Sequence, residues 1–303
     1  MPRRDPPVLK YLAFYLLGLV APRLPAAAAY RLCDRIGDAL FYLLPNRRSI
    51  VERNLAIVLG GTRRDLSRRA RQVFREGVKY YYDTFRIASL GRERLAKLIH
   101  VEGWEHLAAA VAKGRGAIVF SAHLGSPALV SQILAVRGYR VTTVAELVRP
   151  PRLFDLLSRM RTGIGVNVVP LDARTTRELT EVLRRNEVVG IVVDRDVAGT
   201  GVAVDFFGVD ARIPVGPAML ALRTGAALMP GFTYRGGHDR FTGYIGPPLE
   251  MERTGDLRRD LRVNTQKMAR ALEEAILRAP EQWVVFEPIW PERQTESGPG
   301  VDS

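Results

Sequence analysis

From about residue 100 onward, short runs rich in β-branched residues alternate with helix-length segments, and few folds accept that pattern. AIVFSA (117–122) reads as a buried strand, followed by a helix from Pro127 to about Arg137. VTTVA (141–145), VNVVP (166–170) and VVGIVV (188–193) read as further strands, with helices over roughly 152–162 and 175–185 between them. AVDFF (203–207) fits an edge strand. A helix over 217–223, strands at ALMPGF (227–232) and 240–245, and a long helix over 257–278 complete the series. Strands separated by helices form βαβ units, which need a largely parallel sheet. The expected fold is therefore α/β, a mostly parallel central sheet flanked by helices, over residues 101–291.

Residues 1–100 read differently. They are mostly helical, and between Asp65 and Leu90 the residues Leu66, Ala70, Val73, Phe74, Tyr81 and Phe85 recur at helical spacing among Arg68, Arg69, Arg71, Arg75 and Lys79. That stripe suits a surface helix with a solvated charged face, and equally a helix resting on a membrane interface. Arg3, Arg4 and Lys10 precede an uncharged stretch, YLAFYLLGLVA (11–21), that ends at Pro22-Arg23. It is shorter than the roughly 20 apolar residues a span needs. It fits an uncleaved helix dipping into one leaflet, a core helix, or a signal peptide ending near Ala26 to Ala29. The membrane-associating reading of 1–100 is preferred. No linker divides the chain, so the helical part is expected to pack on the α/β part. The polar tail, 292–303, is expected to be disordered.

The formal charge of +13 favours an anionic partner such as an acidic membrane, a phosphorylated ligand or nucleic acid. No basic motif interleaved with aromatics supports nucleic acid. Cys33 is the single cysteine, which excludes an internal disulfide and a cysteine-based zinc site. There is no GxSxG elbow, Walker A loop or HExxH, and GRGAIV (114–119) precedes a strand instead of following one. Neither a metal nor a cofactor is expected.

The chain has four histidines, His100, His106, His123 and His238. Only His123 follows a strong strand, in the loop SAHLGSP, where Ser126 suits a helix N-cap and Pro127 the first helical position. Ligand sites in open α/β sheets lie at the carboxyl ends of strands, so His123 stands where a general base belongs. A structural loop histidine fits the same spacing. Asp194-Arg195-Asp196 follows another strand and faces the same crevice, as an acid for the imidazole or as a loop with an internal ion pair. Arg159 and Arg161 close a helix and could hold phosphate, or simply be solvated.

Several segments occur in an order that resembles the bacterial lipid A late acyltransferases and the related phosphatidylinositol mannoside acyltransferases. They are RSIVERNL (48–55), SAHLG, VVDRD followed by GTGVAVDFFG, IPVGPAMLALRTGAALMPGF, and PEQWVVFEPIW. The resemblance implies transfer of a fatty acyl group from acyl carrier protein or acyl-CoA to a hydroxyl of a membrane glycolipid or phospholipid. It implies a peripheral or monotopic enzyme on the cytoplasmic face of the cell (inner) membrane, with His123 as base. Backbone amides around Gly125 and Ser126 are the candidates for holding the oxyanion. The family's acid, which follows the histidine after four intervening residues, is missing here, where Ala128 stands. Asp194, then Asp196, then Glu146 are the replacements considered. In the mannoside-type relatives a downstream acid near the Asp194 position is thought to pair with the histidine. Gly125, Ser126, Glu146, Arg159, Arg161 and Arg195 are the expected substrate contacts. Ala128 also leaves open a catalytically weakened member that binds lipid or serves as a scaffold.

Overall fold

The structure, a computed structural model, describes residues 7–237 and 239–290. Arg3, Arg4, His238 and the tail expected over 292–303 lie outside the described residues. The chain opens with helices: α1 (Pro7–Val20), α2 (Ala26–Leu43), α3 (Pro45–Leu59) and α4 (Arg63–Arg86). Thr62 starts α4 by accepting from the Asp65 N–H, and the acid of the first turn and Arg86 of the last both suit the helix dipole. Among the described residues no helix is long and apolar enough to cross a membrane.

After α5 (Arg92–Leu98) come β1 (Ile99–Glu102), α6 (Trp104–Ala112), β2 (Ala117–Ser121), α7 (Pro127–Val136) and β3 (Val141–Ala145). The chain continues through α8 (Pro151–Thr162), β4 (Val166–Pro170), α9 (Thr175–Arg184) and β5 (Val188–Val192). It then forms β6 (Val202–Phe206), β7 (Val209–Ile213), α10 (Gly216–Thr224), β8 (Ala227–Arg235), β9 (Phe241–Ile245) and α11 (Leu257–Arg278). Seven strands make one sheet in the order β1-β9-β8-β2-β5-β3-β4. Every neighbouring pair is parallel except β8 with β9. The sheet is thus the expected mostly parallel one.

One expectation fails: β6 is not an edge strand of that sheet. It pairs with β7 as a separate antiparallel ribbon, because Gly208 lets the chain reverse after Phe207 and the ribbon's Val204, Phe206, Ala211 and Ile213 are buried. The elements β1, α6 and β7 are additional to those read from the sequence.

Both faces of the sheet are covered. Ile118 and Phe120 of β2 join the large apolar cluster under α9, α10 and α11, while Ala117 and Val119 join the cluster under α5, α6 and α7. Such two-sided burial explains why β2 reads as a continuous apolar run. The N-terminal helices attach through charge as well as packing. Arg235, at the end of β8, reaches Glu76 and Asp83 of α4 at 2.7 and 2.5 Å. Arg86 of α4 pairs with Asp239 in the β8–β9 turn, and the Tyr30 hydroxyl lies 2.8 Å from Asp83 and 2.9 Å from Asp239. Burial pushes the Tyr30 phenol well above its ordinary range, so it stays protonated as a donor. A buried charge is tolerated only when paired and hydrogen-bonded, and here each is.

Opposite this buried seam the N-terminal helices show an apolar exterior. Leu12, Leu16, Leu17, Leu19 and Val20 of α1 and Leu32, Ile36, Tyr42 and Leu43 of α2 are exposed. Arg31, Arg35 and Arg47 are exposed alongside them. Phe14 of the same α1 packs edge-on against Tyr81 and Phe85 of α4, so α1 has one packed side and one bare side.

Candidate active site

Two neighbouring parallel strands build the site through their register. Ser121 of β2 lies opposite Val192 of β5. The Val193 N–H donates to the Ser121 carbonyl at 2.9 Å, which carries the alignment past the strand ends. His123 and Asp194 each stand two residues beyond those partners, so they arrive level with each other at the carboxyl edge of the sheet.

There the carboxylate holds the histidine twice. His123 Nδ1 is 2.7 Å from Asp194 Oδ1, and the His123 backbone N–H donates to Asp194 Oδ2 at 2.9 Å. The Trp283 indole N–H donates to the same Oδ2 at 2.7 Å. Asp194 is fully buried, whereas the His123 side chain keeps 25 % of its surface exposed. Burial pushes the Asp194 carboxyl upward, but the facing His123 and the three donors outweigh it and hold the group below its ordinary value. Asp194 is therefore the anion, Nδ1 carries the proton, and the ring offers Nε2 to whatever enters.

The loop around His123 is clamped by the C-terminal segment. The Val284 N–H donates to the His123 carbonyl at 2.7 Å, the Gly125 N–H donates to the Gln282 carbonyl at 3.1 Å, and Leu124 pairs with Trp283. The Gln282 side chain ties this segment to β8, accepting from the Arg235 N–H at 2.7 Å and donating to the Arg235 carbonyl at 2.9 Å. Asn54 of the RSIVERNL segment donates to the Glu287 carbonyl at 2.8 Å, and Arg47 to that of Phe286 at 2.8 Å. Motifs far apart in sequence thus converge on one strap. Gly125 is required by geometry: its φ is +60° and a Cβ there would lie 2.3 Å from the Thr233 carbonyl oxygen.

Other expected residues sit elsewhere. Asp196 does not reach His123: its carboxylate accepts from the Thr200 and Gly201 N–H groups and pairs with Arg212, closing the loop before β6. Glu146 does not reach it either, and lies 3.4 Å from Arg195 at the rim. Arg195 is also held by Glu287 at 2.5 Å. The Gly125 N–H is spent on Gln282, so it is not an oxyanion donor. Ser126 precedes α7 as expected, but its buried hydroxyl makes no capping bond. Arg159 is exposed on α8, while Arg161 lines a pocket beneath α7.

That pocket, about 90 Å³, begins beside the histidine loop. Ser121, Pro127 and Ala128 border it near His123, Tyr80 and Arg161 border it from α4 and α8, and Leu134 and Val141 lie at its far end. Ala128, where an acid was missed, is part of its apolar wall.

Trp283 was not singled out by sequence reasoning, and nothing local in EQW announces a partner 89 positions away. Replacing it with phenylalanine keeps the ring packing on Phe206 and Trp290 and deletes one bond to a buried anion. Such a bond contributes about 2 kcal/mol. Denaturant titration of Trp283→Phe is expected to show that loss, and a change below about 0.5 kcal/mol would contradict the charge-assisted bond. The pairing adds stability above the ordinary carboxyl value of about 4, and that part is lost as pH falls from there through the lower folded value.

Residues 7–292 match the sequence profile of the bacterial lipid A biosynthesis acyltransferases. A phosphatidylinositol mannoside acyltransferase of Mycobacterium tuberculosis is 36% identical over 218 residues, covering 70% of this chain and 67% of that protein. The enzyme of the same name from Mycolicibacterium smegmatis is 31% identical over 244 residues, covering 79% of this chain and 78% of its own. The profile spans almost the whole chain, including the strand ends that carry His123 and Asp194, and so the chain belongs to the bacterial lipid A biosynthesis acyltransferase family and is an acyltransferase.

Proposed function

We propose that the protein transfers a fatty acyl group from a thioester, carried by acyl carrier protein or CoA, to a hydroxyl of a membrane glycolipid. The observation that carries this reading is the partly exposed His123 held by a buried Asp194, in a loop whose flanking residues Ser121 and Pro127 border an apolar pocket. His123 Nε2 takes the acceptor proton as the alcohol oxygen attacks the thioester carbonyl. The tetrahedral intermediate collapses, the carbon–sulfur bond breaks, and the departing thiolate receives the proton back from the imidazolium. Asp194 fixes the ring's tautomer and stabilises the imidazolium between those two transfers. The N-terminus of α7, with Pro127 in its first turn, contributes partial positive charge beside the reacting carbonyl.

A glycolipid acceptor is supported by the relatives named for phosphatidylinositol mannoside, and Arg161 at the border of the pocket suits an anionic headgroup. A phospholipid acceptor is the runner-up within the same chemistry. The bare apolar side of α1 and α2, flanked by Arg31, Arg35 and Arg47, supports peripheral or monotopic attachment to the cytoplasmic face of the cell membrane. The paired carboxylate supports an active enzyme over a weakened lipid-binding relative, since Asp194 fills the role that Ala128 cannot.

Mass spectrometry of lipids from cells with and without the gene tests the reading. The expected result is one glycolipid class lighter by one acyl chain in the deletion, restored by the wild-type gene. Unchanged lipid masses would overturn it.

A further inference from the structure

The amino-terminal edge of the sheet, opposite the edge that carries His123, holds a second and larger cleft of about 840 Å³. It opens where the turns before β2 and β8 meet the extended segment after β9. Lys113 and Arg115 come from the turn between α6 and β2, Arg223 from the last turn of α10, and Arg253 from the segment leading to α11. All four are exposed, and no acidic side chain lines the cleft. Glu250 and Glu252 alternate with the lining residues Leu249, Met251 and Arg253 and are not part of the lining. Glu187, whose carbonyl lies against Gly116, turns its carboxylate to Arg140 and Arg185. Among the described residues Lys113, Arg115 and Arg223 meet no carboxylate. The Arg253 guanidinium donates to the Leu222 and Ala221 carbonyls at 2.9 and 3.0 Å, which fixes it without neutralising it. Arg115 lies over Gly225, which ends α10 at a φ of +74°: a Cβ there would sit 3.2 Å from Arg115 Nη1. Like charges gathered around one concavity repel each other, and the field they focus draws in an anion.

We infer that this cleft binds a multiply phosphorylated small molecule of nucleotide size. Arginine presents forked donors that match phosphate oxygens, and lysine adds a point charge. The volume is more than a lone phosphate fills and lies in the range of small-ligand sites. Leu249 and Met251, both half-buried, give an apolar floor for the part of the ligand that carries no charge. Cations that converge from three segments on a concavity suit a compact polyanion better than a flat acidic protein surface. The five residues of β2 put about 17 Å between this cleft and the His123 loop. A ligand here stands apart from the reacting groups, and the inference does not rest on the acyl-transfer reading.

The test is calorimetric titration of the full-length protein with sodium tripolyphosphate and with ATP, at constant ionic strength so that screening is matched. Two double variants are compared. Arg115→Gln with Arg223→Gln takes two cations from the cleft, and Arg94→Gln with Arg177→Gln removes the same charge from α5 and α9. All four side chains are exposed and bond to nothing among the described residues, so both variants are expected to fold. Wild type and the α5/α9 variant are expected to bind both probes saturably, with ATP tighter by about threefold or more because its base rests on the apolar floor. The cleft variant is expected to bind both about tenfold more weakly or worse, having lost two charge-assisted contacts. Equal weakening in the two variants would mean that net charge alone attracts the probes and would overturn the inference, as would the lack of saturable binding by wild type. ATP bound no more tightly than tripolyphosphate would overturn the nucleotide-sized ligand. Vesicles containing phosphatidylinositol supply the last arm: vesicle binding lost in the cleft variant alone would assign the phosphate to a lipid and overturn a free ligand.

Discussion

Replacing His123 with alanine is expected to lower acyl transfer roughly a thousandfold while leaving the protein folded. The magnitude follows from the job assigned to the ring. An alcohol is a poor nucleophile until its proton is removed in the transition state, and a positioned base supplies 10²–10⁴-fold, by rough central tendency. No second base stands ready: Asp194 is fully buried and already engaged by three donors. Folding should survive because the backbone of residue 123, not its ring, makes the contact with Val284. Single-turnover transfer from acyl-CoA, alongside circular dichroism, checks both halves. Activity within tenfold of wild type in a folded His123→Ala protein would remove the ring from the mechanism.

Much of this site was legible because strand ends are legible. The apolar runs at 117–122 and 188–193 are each followed directly by a polar residue, so His123 and Asp194 had to crowd one edge. What a sequence does not carry is the register between two strands 71 positions apart. Asp194 and Asp196 are the same chemical group two residues apart; the resemblance puts Asp194 first, and the pairing of Ser121 with Val192 is what brings it level with His123. Asp196 then finds its own partners because the next residues turn back through Gly199 and Gly201, presenting N–H groups to its carboxylate.

Long-range polar partners stayed out of reach for a similar reason. Nothing in the segment around Arg235 names its partners, yet its side chain is only 7 % exposed because α4 brings Glu76 and Asp83 over it. The short β1 and the ribbon strand β7 were missed because neither has a long apolar run: β1 alternates buried and exposed residues over four positions, and β7 carries Asp210 and Arg212 on its outer face. The α6 segment is alanine-rich and packs mainly through Leu107 and Ala110, too thin a stripe to stand out.

Asp194→Asn is expected to cost about a hundredfold to a thousandfold in transfer, bounded by what the ring it holds supplies as a base. Two effects combine. The amide can turn its NH₂ toward Nδ1, which favours the tautomer with the proton on Nε2, where the base must be empty. The imidazolium formed during attack also loses an anion 2.7 Å away. Asp196→Ala supplies the contrast: its carboxylate closes a loop, so its loss should lower stability and leave transfer by the folded protein close to that of wild type. The pair should also behave as a unit. Adding Asp194→Asn to His123→Ala is expected to cost almost nothing further, because the acid acts only through the ring it holds. Independent, multiplying losses in the double variant would mean that Asp194 serves the reaction by a route that bypasses His123.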